Sequence, residues 1–213
     1  MSADRKIKVL IVDDSAFMRT AIERMIKEDP QMEIIGSASN GQEAIEKVQR
    51  LRPNVVTMDI EMPIMDGLHA LREIMRVCPV PVLMVSSMTQ EGAKVTFDAL
   101  DLGAFDYVGK PGSGITSNIL VLKQNLLAKI RAAADSLPRQ PRFTAVEVQP
   151  KRPVTTTESD TRIDWVVVIG SSTGGPPALQ QVLTGISSNL PAPVVIAQHM
   201  PGSFTGAFAQ RLN

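Results

Sequence analysis

The hydrophobic pattern in the first part of the chain alternates between two periods. Short apolar runs rich in Val and Ile are separated by longer stretches in which apolar residues recur every three or four positions. The first pattern is typical of strands and the second of helices, so the order predicts repeated βα units. The runs lie at 8–12, 33–38, 54–59, 81–86 and 105–109. Because runs such as VLIV are apolar on both faces, we expect a doubly wound α/β domain with five parallel strands.

Capping residues and glycines mark where the intervening helices should begin. A polar cap or a glycine precedes the apolar period at several of these places, as is common at helix amino ends. The predicted starts are near Ser15, Gly41, Gly67, Gly92 and Ser117.

The periodic pattern stops between residues 135 and 162. This segment has four prolines, a run of three threonines and little apolar periodicity. These features are typical of a linker. We therefore divide the chain into a first domain at 1–134, a linker at 135–162 and a further segment at 163–213.

Residues 163–213 repeat the βα pattern on a smaller scale. Strand-like runs at 165–170 and 193–198 flank a helical stretch that begins at Pro176, and another helix begins near Ser203. The first run is apolar on both faces, which is typical of a strand buried between helices. With only two helices to cover the two strands, however, we expect a large share of their apolar surface to meet water. Two strands in about 50 residues supply too small a core for a stable unit, so we expect a truncated second parallel α/β domain.

Composition narrows the function classes. The 22 basic and 22 acidic residues cancel, so the charge balance disfavours nucleic-acid binding. The single cysteine, Cys78, cannot form an internal disulfide, and the first residues contain no apolar signal segment. No apolar run reaches the roughly 20 residues that cross a bilayer. We expect a cytoplasmic protein that does not insert into membranes.

Five polar residues follow or end the predicted strands of the first domain: Asp13, Asp14, Asp59, Ser86 and Lys110. The carboxyl ends of parallel strands meet at one edge, so these side chains should share a pocket. Three carboxylates favour a bound Mg²⁺, and Lys110 offers a positive charge to a phosphoryl group. Asp59 could then act as a carboxylate nucleophile. The alternative is that the acidic residues only form turns and cap helices.

Four motifs resemble the receiver signature of response regulators: VDDS at 12–15, MDIEMPIMDG at 58–67, VSS at 85–87 and GKP at 109–111. The resemblance extends from residue 6 to about residue 130 and implies a flavodoxin-like fold that is phosphorylated on aspartate.

The resemblance also implies a role for each matched residue. Asp59 would be phosphorylated, Lys110 would contact the phosphate, and Ser86 would be the switch hydroxyl. Tyr107 matches the aromatic switch position, although it could equally be an ordinary tyrosine at a strand edge. The implied Mg²⁺ ligands are Asp13, Asp14, Asp59 and the backbone carbonyl of Glu61.

A second motif, GSSTGGPPAL at 170–179, lies where a predicted strand turns into a helix. The spacing Gly170-x-Ser172-x-Gly174 fits a nucleophile elbow, with Ser172 as the nucleophile. His199 ends the next predicted strand and could reach Ser172 as its base. The loop could instead be a plain helix cap or bind a nucleotide phosphate, although it lacks the dinucleotide and P-loop signatures.

The receiver motifs, GSSTGG and the segment QHMPGSFTGAFAQRLN at 198–213 together resemble the chemotaxis protein-glutamate methylesterases. This family implies hydrolysis of γ-glutamyl methyl esters, and deamidation of certain glutamines, on the cytoplasmic helices of chemoreceptors. Ser172 would be nucleophile and His199 base, and a chemotaxis histidine kinase would donate the phosphoryl group.

The same family uses a third catalytic residue, an aspartate, from a downstream region that residues 163–213 do not include. We therefore expect no activity from this chain itself. The competing hypothesis is a phosphorylation-controlled binding module without chemistry of its own.

Overall fold

A computed structural model describes residues 6–86, 89–110, 117–136, 165–187 and 189–213. Strands and helices alternate along these residues, as the hydrophobic pattern predicts. In chain order they are β1 Ile7–Val12, α1 Ala16–Lys27, β2 Met32–Ala38, α2 Gly41–Leu51, β3 Val55–Asp59, α3 Gly67–Val77, β4 Val82–Ser86, α4 Gln90–Asp101, β5 Asp106–Gly109, α5 Ser117–Ala134, β6 Val167–Ser171, α6 Gly175–Gly185, β7 Val194–Gln198 and α7 Gly202–Leu212.

The first five strands form one parallel sheet in the order β2-β1-β3-β4-β5. In its centre, Val12 of β1 lies opposite Met58 of β3, and Asp59 of β3 lies opposite Val85 of β4. The carboxyl ends of β1, β3 and β4 therefore share one edge. The predicted five-stranded parallel α/β fold is confirmed.

Side-chain caps set the beginnings of four helices. In each, the capping oxygen accepts a hydrogen bond from the amide three residues later, which satisfies a backbone donor that the helix leaves unpaired. The capping residues are Ser15, Asn40, Asp66 and Thr89. Because Thr89 is a cap, α4 begins at Gln90 rather than near Gly92, where the sequence places it.

The central strands lie inside the first sheet's core. Every residue of β3 and β4 is buried. Ile11 of β1 belongs to an apolar cluster that also contains Ile22 and Ile26 of α1 and Leu126 and Ile130 of α5. This packing fixes the strand ends from which the polar residues project.

The chain forms two compact units, one of residues 1–141 with 200–213 and one of residues 142–199. Within the first unit, α7 packs against α4: the Phe97 ring lies 5.4 Å from that of Phe208 and 6.0 Å from that of Phe204. Phe204 is fully buried by this packing. The ranges 1–134, 135–162 and 163–213 stay predictions, and the linker range lies outside the described residues apart from positions 135 and 136.

The second unit contains β6, α6 and β7, and its two strands pair in parallel. Pairing begins at Val167, so Trp165 precedes the strand instead of opening it. Val168 is 68% exposed and Val195 is 52% exposed. Alternate residues of both strands therefore face outward, as expected for apolar strands that have only two helices to cover them.

The helices bear on the prediction that the chain does not insert into membranes. No helix among the described residues is long and apolar enough to cross a membrane.

Candidate functional site

Three carboxylates meet at the carboxyl edge of the five-stranded sheet. Asp13 and Asp14 follow β1, and Asp59 ends β3, the neighbouring strand. One oxygen from each of them lies within 4.8 Å of the other two. Asp13 and Asp59 are buried, whereas Asp14 is exposed. Such a cluster is repulsive unless a cation joins it.

Lys110 supplies one such cation. Its ammonium nitrogen lies 2.6 Å from Asp59 Oδ2 and 3.1 Å from Asp13 Oδ2. The Lys110 amide donates to the Ser86 carbonyl at 2.7 Å, which fixes the backbone that carries the side chain. Burial alone would lower the pKa of Lys110, but the two carboxylates outweigh burial and raise it. Burial raises the pKa of Asp59, and the hydrogen bond from Lys110 opposes that rise.

The carboxylate of Asp13 has room for a further ligand. Its Oδ1 accepts a hydrogen bond from the Ser15 amide at 2.9 Å, and its buried Oδ2 pairs with the Lys110 ammonium at 3.1 Å. The adjoining cleft of about 350 Å³ is lined by Asp14, Asp59 and Glu61, among others. Three carboxylates whose oxygens lie this close together, beside a cleft, are a set of hard oxygen donors that fits a divalent metal ion.

A tight loop holds Asp59 in place. Its Oδ1 accepts a hydrogen bond from the Ile60 amide at 2.7 Å, and the Gly67 amide donates to the Ile60 carbonyl at 2.8 Å. A Cβ on Gly67 would lie 2.0 Å from the Asp59 carbonyl oxygen. Only glycine permits this approach, so Gly67 is part of how the loop after β3 returns to the sheet.

Ser86 connects the end of β4 to the beginning of α4. Its side chain is buried, and its Oγ lies 2.8 Å from Thr96 Oγ1, which donates to the Gly92 carbonyl at 2.6 Å. The hydroxyl therefore lies at the cleft wall while it contacts the first turns of α4.

Tyr107 is buried on β5 and packs between elements of the first unit. Its ring stacks on that of Phe204 with centroids 4.7 Å apart, and the Lys129 ammonium lies 4.9 Å from its centroid. Lys129 also donates to the Tyr107 carbonyl at 2.7 Å and lies 3.1 Å from Asp106 Oδ1. Burial raises the pKa of the Tyr107 hydroxyl, so it stays protonated at neutral pH.

Ser172 and His199 lie at the same edge of the two-stranded sheet. Ser172 follows β6 and His199 follows β7, and both are exposed. The His199 amide donates to the Ser171 carbonyl at 2.9 Å. The side-chain amide nitrogen Nε2 of Gln198 donates to the backbone carbonyls of both Ser172 and His199. In the described part of the chain the two side chains make no direct hydrogen bond, so the structure brings their backbones together and leaves the hydroxyl and imidazole separate.

Comparison with known families decides what the first unit is. The family model described as "Response regulator receiver domain" matches residues 9–116. The chain belongs to the response regulator receiver family. After the receiver, residues 167–213 match the family model described as "CheB methylesterase".

The relatives of this response regulator extend the match across the residues between the two family models. A protein-glutamate methylesterase/protein-glutamine glutaminase of Carboxydothermus hydrogenoformans is 47% identical over 98% of this chain and 60% of its own length. One of Symbiobacterium thermophilum is 46% identical over the same shares. The chain thus spans about 60% of these relatives. The resemblance to this methylesterase family is confirmed.

A solved structure supports the receiver in particular. The response regulator domain of Thermotoga maritima CheB is 47% identical, and the match covers 63% of this chain and all of that domain with a TM-score of 0.58.

Three residues of the two sites escaped the sequence analysis. Arg19 donates to the carbonyls of Asp13 and Asp14 at 2.7 and 2.9 Å, and Thr96 contacts Ser86. Gln198 bridges the two strand ends of the second unit. The sequence signals for these residues are weak. Gln198 is a polar residue at the end of an apolar run, and Arg19 lies one helical turn after the capping residue Ser15.

Proposed function

We propose that the whole protein is a phosphorylation-regulated protein-glutamate methylesterase and glutamine deamidase that acts on chemoreceptors during chemotactic adaptation. The observation that carries this proposal is the near-complete match of the chain to relatives bearing that activity in their names. The two clusters of polar side chains, at the edges of two separate parallel sheets, supply the chemistry that the proposal needs.

The receiver accepts a phosphoryl group on Asp59. A carboxylate oxygen of Asp59 forms a bond to phosphorus as the bond from phosphorus to the histidine of a chemotaxis kinase breaks. Lys110, within hydrogen-bond distance of Asp59, neutralises charge on the transferred group. Asp13, Asp14, Asp59 and the Glu61 carbonyl would hold Mg²⁺, which supplies further positive charge when bound.

Ser86 and Tyr107 report the phosphorylation to the surface of the receiver. Ser86 lines the cleft and donates to the Gly92 carbonyl of α4 at 3.4 Å, so a hydrogen bond from Ser86 to the new phosphoryl group competes with that contact. Rearrangement there alters the packing around α4, where Phe97 contacts α7. Phosphorylation is thereby coupled to the helix that packs on Tyr107.

The esterase chemistry belongs to the strand ends of the second unit. Ser172 Oγ adds to the glutamyl ester carbonyl while His199 takes its proton, and His199 returns the proton to the departing methanol. Water then hydrolyses the acyl-enzyme. The acid that orients His199 would be an aspartate from the downstream region that residues 163–213 do not include. The substrate is the methylated cytoplasmic part of a chemoreceptor, which the enzyme reaches from the cytoplasm.

Phosphorylation tests the receiver half of the proposal. Incubation with acetyl phosphate and Mg²⁺ should label the chain with one base-labile acyl phosphate, and Asp59→Asn should remain unlabelled. Asp135→Asn, which alters an exposed carboxylate, is the matched control. Equal labelling of the Asp59→Asn variant would exclude Asp59 as the acceptor.

Ester hydrolysis tests the other half. The intact protein should release methanol from a methylated receptor fragment, and Ser172→Ala should abolish the release while Ser203→Ala leaves it unchanged. A protein that binds the receptor fragment but releases no methanol would support the binding-module hypothesis instead.

A further inference from the structure

The side chain of Gln198 uses its hydrogen-bonding groups between two strand ends. Gln198 is the last residue of β7 and lies opposite Ser171, the last residue of β6. Its Oε1 accepts a hydrogen bond from Ser171 Oγ at 2.6 Å, and its Nε2 donates to the carbonyls of Ser172 and His199, both at 2.9 Å. A primary amide has two N–H donors, so both are engaged.

The two carbonyls that Nε2 contacts belong to the two residues proposed to react. A hydrogen bond to a carbonyl fixes the orientation of its peptide plane, and the side chain projects from the backbone next to that plane. The amide of His199 donates to the Ser171 carbonyl as well. The Gln198 side chain therefore joins the loop that carries Ser172 to the strand end that carries His199.

Gly175 provides the space for this amide. A Cβ built on Gly175 would lie 1.9 Å from Gln198 Oε1, 2.8 Å from Cδ and 3.0 Å from Nε2. Neighbouring Gly174 has a different reason to be glycine, since its φ is +69° and an added Cβ would meet nothing within 4 Å. The two adjacent glycines therefore have different roles: Gly174 permits the turn, and Gly175 leaves space for the Gln198 side chain.

We propose that Gln198, seated on Gly175, is a positioning residue that holds Ser172 and His199 in their relative orientation for ester hydrolysis. This inference rests on the proposed esterase function. Gln198 transfers no proton and touches no reacting atom, and it acts only through the backbone of its neighbours. A displacement of about 1 Å between reacting groups can lower a rate by roughly a hundredfold.

The first experiment separates positioning from binding and folding. In the intact protein, Gln198→Met keeps the side-chain length but removes the amide, and kcat for methyl ester hydrolysis should fall about 10-fold to 100-fold while KM changes little. The melting temperature should match that of the control Gln181→Met, which alters an exposed glutamine of α6. A kcat equal to that of the control would overturn the proposal.

A second pair of variants tests the contact between Gly175 and the Gln198 side chain. Gly175→Ala should displace the amide and lower kcat to a similar degree, but in a Gln198→Ala background the same Gly175→Ala change should cause no further loss. This non-additivity is the signature of two residues acting through one contact. Losses that multiply would show that Gly175 does not act through Gln198.

A third measurement does not depend on catalysis. Backbone ¹⁵N relaxation of the 213-residue chain should show lower order parameters at Ser172 and Thr173 in Gln198→Met than in Gln181→Met. If Ser172→Ala retained hydrolysis, the proposed function would fail, while this measurement would still judge the Gln198 contact. Unchanged order parameters in Gln198→Met would overturn the inference by themselves.

Discussion

The two parallel sheets use similar strands in different surroundings. β3 has the sequence VVTMD and β6 has the sequence VVIGS, so both begin with two valines. Every residue of β3 is buried, whereas β6 alternates between exposed and half-buried residues. β3 has a strand on each side, whereas β6 pairs only with β7 among the described residues. An apolar run therefore shows that a strand can be buried on both faces, but the neighbouring elements decide whether it is.

The largest expected effect on stability comes from truncating one aliphatic side chain to alanine in each sheet. Leu83→Ala, in fully buried β4, should lower the free energy of unfolding of the receiver by about 3 kcal/mol because it leaves a cavity. Val168→Ala, at a 68% exposed position, should change stability by less than about 0.5 kcal/mol. Urea denaturation followed by circular dichroism measures both.

The comparison would fail if the two variants lost similar amounts of stability. A large loss for Val168→Ala would mean that this face of the two-stranded sheet is covered in solution.

A smaller effect is expected for α7, which is a single helix packed on the first unit. Phe204→Ala removes a fully buried ring that contacts Tyr107 and Phe97. The loss cannot exceed the free energy with which α7 packs, so we expect faster hydrogen exchange in residues 202–212 and little change in the central strands. Mass spectrometry of deuterium uptake measures both regions.

Phe17→Ala is the matched control, because Phe17 is 79% exposed. Unchanged exchange in α7 of the Phe204→Ala variant would show that the aromatic contacts do not hold the helix.

A helix cap gives the next effect and carries a pH dependence. Asp66→Ala should cost about 1 kcal/mol, because Asp66 accepts a hydrogen bond from the His69 amide at the beginning of α3. Partial burial would raise the pKa of Asp66, but hydrogen bonds from the His69 amide and ring lower it below its ordinary value. A carboxyl whose folded pKa is lowered contributes stability above its unfolded pKa and loses it as the pH falls through the folded value.

The stability difference between wild type and Asp66→Ala should therefore be full near neutral pH and shrink below about pH 4. Urea midpoints at a series of pH values measure it. A difference that stays constant down to the folded pKa would contradict a charged cap.

The smallest effect is spectroscopic and reports only on the second unit. Trp165 is the only tryptophan in the sequence, and it is 78% exposed. Its fluorescence should be quenched by acrylamide nearly as efficiently as that of a free tryptophan derivative. Strong protection from quenching would indicate that residues beside β6 are covered, in the same direction as a large effect of Val168→Ala.

The sequence predicts the position of each site better than its internal contacts. Asp13, Asp59 and Lys110 could be placed together because the carboxyl ends of parallel strands share an edge, whatever the side chains do. The partners of Ser86 and Gln198 could not be predicted, because a hydrogen bond from Thr96 or to the Ser172 carbonyl depends on rotamers and on tenths of an ångström. The exposure of apolar side chains such as Val168 was expected from the small number of covering helices, but which face of the strand they would leave open could not be predicted.

The packing of Tyr107 has a thermodynamic consequence for the receiver. Tyr107 contacts Phe204 of α7, and Phe97 of the same unit contacts both aromatic residues of that helix. If phosphorylation of Asp59 lowers the affinity of α7 for this face by some factor, then packing of α7 must disfavour the phosphorylated state by the same factor. The helix is then an effector of its own receiver, and the equilibrium between the phosphorylated and unphosphorylated receiver depends on whatever else competes for α7.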